Sequence, residues 1–212
     1  MTGRIVILNG APRSGKSSIA SAMQEGLPGR WINLGVDAQN RTLPPALQPG
    51  IGLRPGGERP DLEPMVVALY LALYDAIAAH ADQGFDVVAD LGHHDAYSTP
   101  LGILPACARR LGGHDVLFVG VRCPIETIMA RRNADPQGGF YAAGPGIPTP
   151  VQLWQDAVHA HGDYDLQVDT GISSPEACMA QIAALLAEPP RERAFSRLAR
   201  SPHPSAPGAE RA

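Results

Sequence analysis

Lysine is nearly missing from this chain of 212 residues: arginine occurs sixteen times and lysine once, as Lys16. Where any cation serves, the chain uses a guanidinium. A position that keeps an ammonium against that bias needs a compact point charge on a flexible stem, which a planar guanidinium does not supply. Aromatic residues are scarce too, at 5%. The three cysteines, Cys107, Cys123 and Cys178, are far apart and odd in number. They fit no zinc or disulfide spacing and read as reduced thiols of a cytoplasmic protein. The formal net charge is only −4, with no basic stripe for nucleic acid and no polybasic patch for a membrane surface. No apolar run approaches the ~20 residues of a membrane span. The apolar run at residues 5–8 is shorter than the ~7–15 residues of a signal peptide's apolar region. Nucleic acid and membrane are therefore not expected as partners, and the oligomeric state is left open.

What is present is an ordinary globular composition, 44% hydrophobic and 18% charged, with 23 glycines and 21 prolines that imply many loops. The length suits one domain with a sizeable core. Residues 4–8 form a β-branched apolar run that fits a buried parallel strand. Residues 17–27 place Ile19, Ala20, Met23 and Leu27 at helical spacing, and Pro28-Gly29 ends that helix. Further strands are expected at 31–36, 85–90, 116–121 and 166–168. Helices are expected at 65–81, 105–111, 125–132 and 151–161. Ser174 caps a last helix with Pro175 at its first position. Strands alternating with helices predict an α/β domain with a five-stranded parallel sheet and helices on both faces. The domain is expected to span residues 1–187. The Pro- and Gly-rich segment at 41–64 reads as an acceptor-site loop and 131–150 as a lid. Residues 188–212 read as a disordered tail, apart from a short helix at 193–200.

The sharpest motif is Gly10-Ala11-Pro12-Arg13-Ser14-Gly15-Lys16-Ser17, which matches G-x-x-x-x-G-K-[ST] between a strand and a helix. Its glycines let successive backbone N–H groups point at phosphate oxygens, and the helix that begins there adds its positive end. Lys16 then serves the β- and γ-phosphates and Ser17 the Mg²⁺. With Ser18, these residues form the expected ATP site; Arg13 and Ser14 contribute through the backbone. Asp37 and Asp90 close two strands at the ends where ligands bind in open α/β sheets. Asp90 is the expected partner of Mg²⁺. Asp37 is the candidate base for a hydroxyl, or else a helix cap.

Three further segments are more particular: Leu34-Gly-Val-Asp37, Val119-Gly-Val-Arg-Cys123 and Tyr164-Asp-Leu-Gln-Val-Asp169-Thr170. With the phosphate loop and in this order, they resemble chloramphenicol phosphotransferases over residues 4–186. The resemblance implies a P-loop NTPase kinase-type fold with strand order 2-3-1-4-5. It implies ATP, Mg²⁺ and transfer of a γ-phosphoryl group to an alcohol of a small molecule. It puts the base on Asp37, lid arginines on Arg131 and Arg132, a strand-end arginine on Arg122, and Asp169 and Thr170 near the adenine. The chain departs from the family at Asn133-Ala-Asp-Pro-Gln-Gly-Gly-Phe-Tyr141 and at Gly92-His-His-Asp-Ala-Tyr97. Both departures fall where an acceptor sits, so the acceptor need not be chloramphenicol.

His93, His94 and Tyr70 are candidates for the acceptor pocket. Tyr141 is a further candidate contact or an exposed loop residue. His93, His94, Asp95, His159 and His161 are also a candidate metal set without a fixed geometry. An alternative acceptor is a sugar acid, a shikimate-like acid or a nucleoside, served by Arg41, Arg54 and Arg59. A different class altogether is a nucleotide-binding switch that phosphorylates nothing. A GTPase version lacks its Asp-x-x-Gly after strand three, since the chain has Asp90-Leu-Gly-His, and lacks any second lysine for guanine reading.

Overall fold

The protein is described by a computed structural model over residues 2–135 and 146–201. Its five strands are β1 (Ile5–Asn9), β2 (Trp31–Asn33), β3 (Asp86–Leu91), β4 (Val116–Arg122) and β5 (Leu166–Asp169). They form one sheet of order β2-β3-β1-β4-β5, and every pairing is parallel. The fold class and strand order are those expected from the sequence. Strand β1 is central and all five of its residues are buried. That is why it reads as a continuous apolar run rather than an alternation.

The period of two in the strands sorts the helices onto two faces. Ile5, Ile7, Val87, Ala89, Val116 and Phe118 pack under α3 (Glu63–Asp82), α4 (Ile103–Arg110) and α8 (Ala194–Ala199). Val6, Leu8, Val88, Leu117, Val119 and Val121 pack under α1 (Lys16–Gly26) and α7 (Pro175–Ala187). Ser174 caps α7 by accepting from the Ala177 N–H, 3.2 Å away. Helices α5 (Ile125–Ala134) and α6 (Thr149–Ala157) sit over the carboxyl end of the sheet, where Ile128 and Trp154 join Ala11 in a small cluster. At the other end, Arg4 grips Asp86 with Nε at 2.9 Å and Nη2 at 2.7 Å. That contact holds the Asp86 carboxyl below the ordinary carboxylate range.

Three expectations are corrected. Strand β2 stops at Asn33, and Val36–Arg41 forms a short helix, α2, so Asp37 lies in a first helical turn instead of closing a strand. The last sheet bond runs from Leu34 N–H to the Val88 carbonyl, and the chain turns at Gly35. Helix α3 spans 20 residues and is long and apolar enough to cross a bilayer by length and composition. Its Val66, Tyr70, Leu73, Tyr74, Ile77 and Ala81 are instead buried in the core.

The short helix expected at 193–200 forms as α8, but it is packed on the domain instead of carried in a disordered tail. Helix α8 buries Ala194, Phe195 and Leu198. Phe195 lies 4.9 Å from the ring of Phe118 and 6.1 Å from that of Tyr74. Arg193 pairs with Asp115 through two bonds, at 2.6 and 2.8 Å. The proline and arginine content that suggested disorder thus flanks one apolar face that the sheet needs covered. Phe195→Ala should lower the unfolding free energy by about 3–5 kcal/mol in urea titration. A loss below about 1 kcal/mol would mean that this helix contributes no core.

Candidate active site

The phosphate loop leaves the carboxyl end of β1 and ends at Gly15, whose φ of +95° starts α1 from a left-handed turn. Gly10 has no room for a side chain: a Cβ there would lie 2.5 Å from the Val121 carbonyl oxygen and 2.7 Å from Ser14 Oγ. Lys16 folds back across the loop and donates to the Gly10 and Ala11 carbonyls, both at 2.9 Å. Desolvation there pulls the ammonium from its ordinary 10.5 down to about 8, while Asp90 and then Asp37 pull the other way.

Asp90 ends its strand beside this ammonium. Its Oδ2 accepts from Ser17 Oγ at 2.6 Å. Burial raises its pKa, and the Ser17 bond and Lys16 offset part of that rise. A Cβ on Gly35 would fall 1.4 Å from Asp90 Oδ1. The glycine of Gly35-Val36-Asp37 therefore exists to admit the Asp90 carboxylate. Asp37 stands exposed on the first turn of α2, close enough for its charge to act on both Lys16 and Asp90. Ser17 and Ser18 are exposed on the first turn of α1.

A hydroxyl and a carboxylate side by side are hard oxygen donors and fit Mg²⁺. The described residues hold no group of three or more His, Cys, Asp or Glu side chains able to cage a metal. Ser17 and Asp90 would thus hold an ion whose remaining ligands are phosphate and water, as Mg²⁺ prefers. The histidines at 93, 94, 159 and 161 form no such cage.

A cavity of about 490 Å³ opens against the loop. Ala11, Pro12 and Arg13 form one wall, the 48–59 segment a second, and Ile128, Arg132, Val151 and Trp154 a third. Trp154 was not foreseen from the sequence. Its indole stands edge-on to His94, 5.0 Å away, and a Cβ on Gly92 would meet it at 3.0 Å.

The expected pocket residues are placed differently. Tyr70 is core: its hydroxyl reaches the Ile51 carbonyl at 3.2 Å and the Gly92 carbonyl at 3.4 Å. His94 Nε2 meets the Leu53 carbonyl at 2.9 Å. These two side chains hold the chain on either side of Gly52, which lines the cavity, so they support the pocket instead of lining it. His93 is buried away from this cavity.

Arg131 was expected over the transferring phosphate. Its guanidinium instead joins the loop to β5, donating to the Thr170 carbonyl at 2.7 Å, Thr170 Oγ1 at 3.1 Å and the Arg13 carbonyl at 3.2 Å. Thr170 Oγ1 in turn donates to the Ser14 carbonyl at 2.6 Å. Arg132 does line the cavity. Arg122 donates to Gln167 at 2.9 Å. Tyr141 and the middle of the expected lid lie outside the described residues.

Asn9 was also missed. Buried just before the loop, it accepts from the His93 N–H at 2.6 Å and donates to the Val158 carbonyl and Tyr164 hydroxyl, each at 2.9 Å. An amide ending an apolar strand was the signal available.

A parallel 2-3-1-4-5 sheet with this loop between β1 and α1 defines a P-loop kinase-type fold. The same fold appears in the Mycobacterium tuberculosis APS kinase solved with AMPPNP and APS, at TM-score 0.59 and 20% identity over 88% of this chain and 98% of that one. It appears in the Acinetobacter baumannii shikimate kinase solved with shikimate, at 0.56 and 13% over 90% and 97%. It appears again in the Deinococcus radiodurans tunicamycin resistance protein, at 0.56 and 18% over 87% and 95%. The chain belongs to the chloramphenicol phosphotransferase-like family, which matches residues 3–187. Relatives from two strains of Mycobacterium tuberculosis, named provisionally as O-phosphotransferases, are 29% identical over 210 residues, covering 92% of this chain and 88% of theirs.

The Lys16 environment sets two opposite pH slopes. Its folded value of about 8 lies below the unfolded 10.5, so between them the unfolded chain binds more protons and the free protein gains stability as pH rises. Phosphate needs the ammonium, so affinity for ATP as a probe should fall through the same window. Denaturant titrations and calorimetry at pH ~7 and ~9.5 should show both slopes, and Lys16→Met should flatten both. Unchanged slopes in that variant would place the titration elsewhere.

Proposed function

We propose that this protein is an ATP-dependent O-phosphotransferase that moves the γ-phosphoryl group onto a hydroxyl of a small molecule held in the loop-side cavity. One observation carries the proposal: Ala11, Pro12 and Arg13 belong at once to the phosphate loop and to the cavity wall. A molecule seated there would share a wall with the phosphates that the loop holds.

The loop amides and Lys16 hold the triphosphate once it displaces the Gly10 and Ala11 carbonyls from the ammonium. Mg²⁺, held through Ser17 and Asp90, would neutralise phosphate charge. Asp37 takes the acceptor's proton as the new O–P bond forms and the bond from the γ-phosphorus to the bridging oxygen breaks, leaving ADP. The charge of Asp37 already reaches Lys16 and Asp90, and α2 rests on the turn that walls the cavity. Arg131 keeps the loop in shape from the β5 side, and Arg132 faces the acceptor.

The walls formed by Pro49, Leu53, Ile128, Val151 and Trp154 suit an acceptor with a broad apolar body, and family membership supports an antibiotic or a toxic self-made metabolite. A second reading has its own observation: Arg54 and Arg59 also line the cavity, which favours an acidic metabolite. Arg54 pairs with Glu58 and Arg59 with Asp61, so their charge is partly spent, and the neutral acceptor is preferred.

Asp37→Asn should keep ATP affinity within a few-fold and slow transfer by about 10²-fold or more. A large loss of ATP binding instead would move Asp37 to the nucleotide. The acceptor class is tested by incubating the protein with ATP, Mg²⁺ and a panel of antibiotics and hydroxylated acids, then looking for one added phosphate by mass spectrometry. Phosphorylated product from neutral apolar alcohols is expected. Product from acids alone, with KM raised by Arg59→Gln, would favour the second reading. No product from any compound, with ATP bound, would return the protein to the class of nucleotide switches.

A further inference from the structure

A second cavity, of about 410 Å³, lies where the β3–α4 connection, the end of α6 and α8 meet. It shares no lining residue with the loop-side cavity. Leu104, Pro105, Ala157 and Leu198 supply apolar walls, and His93 supplies a buried polar group. We propose that this cavity is a second small-molecule site, one that takes an uncharged compound with an apolar body and a hydroxyl group.

His93 carries the inference. The residue is only 1% exposed. Its Nε2 pairs with the Tyr74 hydroxyl at 2.8 Å, and its Nδ1 has no partner among the described residues. If Tyr74 donates, Nδ1 bears a proton with no acceptor; if Nε2 donates, Nδ1 is an unused acceptor. Either way a buried polar atom is unsatisfied, at a cost of about 1–3 kcal/mol. Nδ1 is closed off in the free protein, so a ligand reaches it by a small shift of the ring toward the cavity; a hydroxyl, which both donates and accepts, then completes either tautomer.

The absence of usable charge excludes ions from the inner end. Burial pushes His93 down to about 3 and His161 to about 4, so both imidazoles are neutral near pH ~7. Asp95 stands exposed at the rim, its Oδ1 already taken by the Leu101 and Gly102 N–H groups at 2.8 and 3.0 Å. An ion at His93 would lose its hydration without a counter-charge. The site is also wired to the phosphate loop, since the His93 N–H holds Asn9 Oδ1 and Asn9 precedes Gly10.

The test requires no phosphoryl transfer, so it succeeds or fails independently of the proposed activity. The full chain, isotope-labelled, is titrated by NMR with phenol and with toluene, two probes of one shape that differ by the hydroxyl. Phenol should bind saturably, shifting the His93 imidazole and Leu198 methyl resonances, and toluene should bind about tenfold more weakly. His93→Leu should abolish that difference. Equal affinity for the two probes in the wild-type protein would overturn the proposal. So would shifts that never saturate, which would mean that water alone fills the cavity, or saturable shifts confined to Trp154. If His93→Leu does not fold, the phenol-to-toluene ratio in the wild-type protein decides alone.

Discussion

One ammonium inside a loop of carbonyls and amides is the constraint on which the site is built. Lys16 has two backbone carbonyls for company and the charges of Asp90 and Asp37 nearby. That is a poor exchange for the water it gave up, and its lowered proton affinity records the deficit. A loop left in that state is poised for an anion. Phosphate oxygens restore what burial removed, and the loop N–H groups, which find few partners within the loop, supply the rest of the cradle. A guanidinium in this place would be too wide to fold back between the Gly10 and Ala11 carbonyls. That explains the survival of one lysine among sixteen arginines.

The other fixed point is the Asp90 carboxylate. It is shared between α1, through Ser17, and the β2–α2 turn, through the bare Cα of Gly35. Three segments distant in sequence meet on its two oxygens. The loop, the Ser17–Asp90 pair and the helix that carries Asp37 are thereby set relative to one another by one side chain. A methyl group at residue 35 would push that carboxylate aside and disturb all three.

The parts that could be read from the sequence are those where one local requirement dictates residue type. Buried parallel strands must be apolar along their length, so β1, β3 and β4 were evident. A phosphate loop must have its glycines and lysine at fixed spacing. Ser174 and Pro175 must look as they do at a helix start. Where a residue's role depends on what the fold brings near it, the sequence was silent or misleading. His93 and His94 looked like pocket residues because they are polar and follow a strand end, and Tyr70 because it is polar on a long helix, yet their partners are carbonyls at 51 and 53 and a tyrosine one helix away. Arg131 looked like a phosphate ligand because arginines end α5, but Thr170, 39 residues on, claims it. Helix α8 was legible as a short helix, but its place in the core was not, because three apolar residues among arginines and prolines have meaning only beside Phe118 and Tyr74.

The misplaced residues share a pattern that bears on how acceptor choice evolves in such a site. The cavity wall at 48–59 is a loop rich in glycine and proline with little packing of its own. It is held by side chains from the core: Tyr70 on one side of Gly52 and His94 on the other. Trp154 faces it from α6, its ring lodged on Gly92 and His94. Cavity-facing positions can therefore change without unfolding the protein, because the energy that keeps the wall in place is invested in the residues behind it. Of the two histidines in the Gly92-His-His segment, His94 belongs to that support, while His93 turns to Tyr74 and Asn9. The influence of His94 on the cavity is therefore indirect, through the Leu53 carbonyl it meets and the Trp154 ring it faces, both of which line the loop-side cavity.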